Sequence, residues 1–213
     1  MLKSGNIKDH LYTNHMTDIY LIRHGETTWN KQGRLQGHLD SPLTEKGKND
    51  ALHLLNYFQD INLDAIYSSD LGRALTSVSP LAQIKQLTIT RKVELRELSY
   101  DHLDGKPKQS LSSTDKKQLA TLFSAQLGYR IGQGESLQTL QKRLSRCLHG
   151  IALAHPGQKV AVMSHGLAIV MFLKEILYIP VDAPRTMDIH NGSVTHLTFD
   201  GQNWMLQSLY HSK

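Results

Sequence analysis

Two histidines in this chain stand in the same setting. Ile19-Tyr20-Leu21-Ile22 runs directly into Arg23-His24-Gly25, and Val160-Ala161-Val162-Met163 runs into Ser164-His165-Gly166. Each is a short apolar, β-prone run stopped by glycine, the pattern of a buried strand handing over to a loop. Open α/β sheets bind ligands beyond the carboxyl ends of their strands. Two strands of one sheet would therefore deliver both imidazoles, and the Arg23 guanidinium, to a common edge. Arg and His together suit an anion. The chain has twelve histidines, most of which must be surface or packing residues. The repeated strand-His-Gly setting singles out these two.

Suppose the anion is a phosphate monoester, which carries about two negative charges. Its non-bridging oxygens must be held in fixed directions, and the planar fork of Arg does this with paired hydrogen bonds. Arg23 ends the first strand. Arg73 follows the second, in Ser68-Ser69-Asp70-Leu71-Gly72-Arg73, within the first turn of an expected helix whose N-terminus adds backbone N–H donors. Phosphoryl transfer also needs a nucleophile and a proton donor. No cysteine lies near these strand ends, and no His-Glu-x-x-His or Asp-rich metal pattern occurs. That leaves imidazole, which when neutral can attack phosphorus and carry the phosphoryl group. Adjacent arginines disfavour the imidazolium and help keep it neutral. A carboxylic acid would protonate the leaving group. Glu94 and Glu97 both lie just past the third strand, and charge alone does not choose between them. The expected cofactors and metals are none.

The elements that must position these groups alternate. Hydrophobic patterning predicts strands over 17–22, 64–68, 88–94 and 159–163, with two more over 193–199 and 204–209 around Asp200-Gly201. Helices are expected from a Thr44 cap to about 59, from a Ser69 or Asp70 cap to an interruption or end at Pro80, over 114–127 and 135–154, and from the second histidine to about 177. Residues 27–42 lack a sustained period and read as loop. This order predicts an α/β fold, a three-layer αβα sandwich with a mostly parallel sheet. One domain is expected over 17–213, preceded by an extension at 1–16 that reads as a flexible tail.

With 213 residues, 39% of them apolar, the chain can bury one ordinary core. Its net charge of +5 comes from scattered Lys and Arg, which argues for a small anionic substrate and against nucleic acid. Cys147 is the single cysteine, so no intrachain disulfide can form, and a reducing, cytoplasmic setting is expected. No apolar run is long enough to predict a membrane span. The oligomeric state is not readable.

The sequence resembles the histidine phosphatase superfamily, in the branch that includes cofactor-dependent phosphoglycerate mutases. Arg23-His24-Gly25-Glu26-Thr27 matches its signature, Ser164-His165-Gly166 its second histidine motif, and Ser68-Ser69-Asp70-Leu71-Gly72-Arg73 and Leu95-Arg96-Glu97 fall between them in the family order. The resemblance spans residues 17 to about 200. It implies His24 as the nucleophile that becomes phosphohistidine, and Arg23, Arg73 and His165 as ligands of the phosphoryl oxygens. Glu97 would be the general acid and then the base. Asn30, Gln36 and Gly37 match positions lining the phosphate or substrate pocket, and Gly134-Glu135-Ser136 matches a motif ahead of the long helix.

Within that branch the phosphoryl acceptor separates phosphatases from mutases. Tyr100, Leu103, Gly105 and Lys108 resemble the substrate loop of the mutases. Mutases usually carry an added segment with paired arginines, and none lies between Gly105 and Gly134. Leu167 stands where mutases typically have Asn. The phosphatases' usual Gly-x-Trp-Glu-Gly reads Asp101-His102-Leu103-Asp104-Gly105 here, so the substrate wall differs from theirs. These features favour a phosphomonoesterase acting on small phosphorylated metabolites. A mutase and a non-catalytic phospho-ligand-binding regulator stay open as alternatives.

Overall fold

The computed structural model describes residues 16–124, 128–184 and 187–211. A six-stranded mixed sheet has the order β3-β2-β4-β1-β5-β6. Its strands are β1 (Thr17–Arg23), β2 (Ala65–Ser69), β3 (Ile89–Lys92), β4 (Lys159–Ser164), β5 (Val194–Phe199) and β6 (Trp204–Tyr210). The first four run parallel, while β5 is antiparallel to β1 and to β6. Helices are α1 (Thr28–Lys31), α2 (Glu45–Tyr57), α3 (Gly72–Lys85), α4 (Ser113–Phe123), α5 (Leu137–Ala154) and α6 (Gly166–Ile176).

Alternation along the central strands divides the core. Ile19, Leu21, Val160 and Val162 face one way and pack with residues of α5 and α6. Tyr20, Ile22, Ala161 and Met163 face the other way and pack with residues of α2 and α3. Central strands covered on both faces explain why the sequence there is continuously apolar. The result is the expected αβα sandwich with a mostly parallel sheet. Residues 1–15 of the expected extension lie outside the described residues, as do 125–127 of the expected helix over 114–127.

Local differences from the sequence reading have physical causes. The segment after Thr27 is not all loop, because a capping box starts α1. The Asn30 N–H donates to Thr27 Oγ1 and the Thr27 N–H donates to Asn30 Oδ1, both at 3.1 Å. A four-residue helix is too short to show a hydrophobic period. Pro80 does not end α3, which runs on to Lys85 and stops at Gln86 in a left-handed conformation with φ 55°. Burial of Val78, Leu81 and Ala82 outweighs the one backbone bond that proline forfeits.

The loop after β1 touches the start of α2 backbone to backbone. A Cβ on Gly25 would sit 2.3 Å from the Gly47 carbonyl oxygen, and one on Gly47 would sit 1.9 Å from the Glu26 carbonyl oxygen. Glycine is needed at both for this approach. Gly47→Ala should therefore cost about 2 kcal/mol or more of folding stability, in the range of overpacking. Urea denaturation with an unchanged m-value and a lower midpoint is the expected readout.

Candidate active site

Parallel pairing of β1 with β4 matches Arg23 to Ser164, so His24 and His165 leave the sheet side by side. Their ring centroids are 5.1 Å apart and both rings are buried. His24 Nδ1 lies 2.8 Å from the Gly25 carbonyl oxygen, which can only accept. Nδ1 therefore carries the proton, and the lone pair is left on Nε2. His165 Nε2 meets Ser69 Oγ at 2.8 Å, while its buried Nδ1 has no partner among the described residues. Burial, then Arg73 and Arg23, hold the His24 pKa well below its ordinary value. The His165 pKa is pushed down by burial, then by Arg73, His24 and Arg23. Both imidazoles are thus neutral at physiological pH.

Arg73 is almost fully buried and held by the loop over residues 37–40. Its Nη1 donates to the Leu39 carbonyl at 2.7 Å and to Asp40 Oδ1 at 2.8 Å, and its Nη2 donates to the Gly37 carbonyl at 2.8 Å. Asp40 also takes the Gly72 and Arg73 N–H groups at 2.5 and 3.2 Å, and so caps α3. The expected caps have other duties. Ser69 meets His165, and Asp70 forms a two-point pair with Arg96. A cap supplied from 32 residues upstream leaves no local sequence signal. Arg23 donates from Nη1 to the Ile189 carbonyl and packs against Gly166, where a Cβ would lie 3.1 Å from the guanidinium.

Glu97 sits at the start of α6. Its Oε1 accepts the Leu98 and Ala168 N–H groups at 2.9 and 3.1 Å, and its Oε2 accepts Leu167 N–H at 3.1 Å. The turn that carries it is clamped by Arg143, which donates to the carbonyls of Glu94 and Arg96 and forms a two-point pair with Glu135. His38 Nε2 lies 2.9 Å from the Glu97 carbonyl oxygen. Glu135 is thereby placed in the support of the turn rather than in the cleft. Glu94 lies on another surface, beside Cys147 and Arg146. Of the two carboxylates that charge left open, Glu97 lines the cleft and Glu94 does not.

A cleft of about 360 Å³ collects Arg23, His24, Arg73 and Glu97, and also Asn30, Gln36, Gly37 and Tyr100. His165 is not among the lining residues, and its ring lies beside that of His24. Gly37 has φ +53°, and a Cβ there would overlap the Asp104 carboxylate, which accepts from the His38 and Tyr100 N–H groups. Burial raises the Asp104 pKa. The sequence reading missed Arg34, Asp188 and Asn191, which also line the cleft. Asn191 Nδ2 donates to the His24 carbonyl at 2.9 Å and to Asn30 Oδ1 at 3.3 Å. It lies far from the histidine motifs in sequence and follows no strand, so no spacing marked it. The lining holds four cations against three carboxylates. Among the described residues no group of three or more His, Cys, Asp or Glu could hold a metal ion.

The model of the histidine phosphatase superfamily (branch 1) matches residues 19–212. The chain belongs to that superfamily. It is 33% identical over 190 residues to a protein of Shigella dysenteriae named probable phosphoglycerate mutase GpmB, covering 89% of this chain and 88% of that one. The solved structure of Bacillus stearothermophilus YhfR superposes with a TM-score of 0.83 at 31% identity, covering 89% of this chain and 95% of that one. A phosphoserine phosphatase from Entamoeba histolytica superposes with a TM-score of 0.80 at 24% identity, covering 91% and 96%, and shows the shared fold. The superfamily assignment makes this chain an enzyme of the phosphatase and mutase group. No described helix is long and apolar enough to cross a membrane.

The lowered histidine pKa values fix the sign of a pH effect. The unfolded chain takes up protons at His24 and His165 near their ordinary 6.5, and the folded chain does so only at lower pH. Stability is thus complete above 6.5 and declines as pH falls through the interval below it. Replacing His24 with Gln should flatten the decline between pH 6.5 and 5.5 by up to about 1.4 kcal/mol per pH unit, the value for one proton. Urea unfolding of both proteins across that interval measures it.

Proposed function

We propose that this superfamily member is a phosphomonoesterase that transfers the phosphoryl group of small phosphorylated metabolites to His24 and then to water. The observation that carries the reading is the neutral His24 imidazole, with its lone pair on Nε2, in a cleft shared with Arg23, Arg73 and Glu97. Attack by Nε2 forms a nitrogen–phosphorus bond as the ester oxygen–phosphorus bond breaks. Glu97 gives its proton to the departing alkoxide, which leaves as the alcohol. Glu97 then takes a proton from water, whose oxygen attacks phosphorus. The nitrogen–phosphorus bond breaks, phosphate leaves, and both His24 and protonated Glu97 are restored. Oε2 suits the proton-carrying role, because Oε1 accepts two backbone N–H groups and Oε2 only one. Arg73 Nε and His165 Nδ1, both buried and without partners among the described residues, are the atoms left to meet phosphoryl oxygens.

Mutase chemistry is the second reading, favoured by the name of the Shigella relative. Against it stands the side chain of Leu167, which lines the cleft where mutases typically present Asn. No adjacent arginine pair is available between Gly105 and Gly134 to grip a second acidic group. Water is then the acceptor that needs no further site.

Phosphate release from phosphomonoesters in the presence of EDTA is the expected activity, and His24→Ala should abolish it. Isomerisation of 3-phosphoglycerate without release would establish the mutase instead. Glu97→Gln should lose about 100- to 10,000-fold in kcat on alkyl phosphates and far less on p-nitrophenyl phosphate, whose leaving group needs no proton. Equal losses on both would remove Glu97 from the acid role.

A further inference from the structure

Beside the cleft lies a second cavity of different character. Along α6, Leu167, Met171 and Lys174 fall at i, i+4 and i+7 and share one face. Along α4, Leu119, Ala120 and Phe123 form the opposite wall. Between them lies about 430 Å³, within the size range of small-molecule sites. Among the described residues no carboxylate lines it. The Lys174 ammonium is tied to backbone, donating to the carbonyls of Val181 and Ala183, and Lys108 is the other cation of the lining. Phe123 stands at the wall 45% exposed, although it is a large apolar residue.

Leu35, Tyr100, Lys108 and Leu167 line both cavities, so the polar cleft and the apolar one adjoin. Leu167 makes the join at atomic scale. Its N–H holds Glu97 Oε2, and the residue lines both cavities. An ester oxygen protonated by Glu97 would have its carbon chain delivered along Leu167. We propose that the second cavity is a leaving-group pocket, and that the substrates are phosphomonoesters of apolar alcohols, bound with the phosphate at His24 and the hydrocarbon between α4 and α6. This rests on the phosphomonoesterase reading. A dianionic head and an apolar tail match the two cavities in order, charge to charge and hydrocarbon to hydrocarbon.

The n-alkyl phosphates from ethyl to hexyl test it, because beyond ethyl their leaving alcohols differ little in acidity and only buried hydrocarbon grows. Wild-type kcat/KM should rise about two- to fourfold per methylene. Phe123→Asp should cut the hexyl-to-ethyl ratio at least tenfold, and Phe123→Leu should keep most of it. Ala120→Asp, at another exposed position on the same wall, should act like Phe123→Asp and guards against a folding defect in either variant. Ready turnover with no dependence on chain length would overturn the pocket and leave the phosphomonoesterase reading standing. A rise that both aspartate variants leave intact would place the chain elsewhere and also overturn it. No turnover of any ester above the His24→Ala background would overturn the phosphomonoesterase reading, and the pocket with it.

Discussion

The parallel ladder between β1 and β4 is the constraint on which the site depends. It sets Arg23 opposite Ser164, so both histidines emerge at one sheet edge with rings 5.1 Å apart. A slip of one residue would send every side chain of the strand to the other face. The two core halves, one against α5 and α6 and the other against α2 and α3, guard against that slip. Hydrophobic packing on both faces thus fixes the distance between two polar rings.

Around the rings, polar groups are organised by backbone more than by other side chains. Arg73 spends its terminal nitrogens on two carbonyls and one carboxylate, and Glu97 rests on three N–H groups. Burying a guanidinium costs several kcal/mol unless such partners are in place. The loop through Gly37 and Asp40 supplies them, and Asp40 also caps the helix that carries Arg73. The arginine is therefore positioned before any ligand arrives. Such preorganisation suits a site whose work is to stabilise developing charge.

The parts legible in the sequence were those written in local pattern. Strand runs ending in His-Gly located both rings, and apolar stripes located α5 and α6. Asn30, Gln36, Gly37 and Tyr100, taken from family motifs, do lie along the cleft. What local pattern could not reveal was contact across long separations. Asp40 caps α3, Arg143 clamps the turn of Glu97, and Asn191 holds the backbone of His24, each through a partner at least 32 residues away. Charge alone did not separate Glu94 from Glu97, and only the family motif pointed to Glu97; their different surfaces follow from a short 3₁₀ turn at Val93–Leu95. The α1 turn was missed because a capping box, not a hydrophobic period, was its signal.

The solvent-facing side of α4 has a consequence for divergence. Ala120 and Phe123 are exposed, whereas Leu122 of the same helix is anchored in the core. Substitutions at exposed positions usually change stability by less than about 0.5 kcal/mol. This wall could drift in size and polarity while the strands, the arginine cradle and the Glu97 turn stay untouched. A lineage with this scaffold can explore new ligands by mutations that threaten neither folding nor the reacting groups.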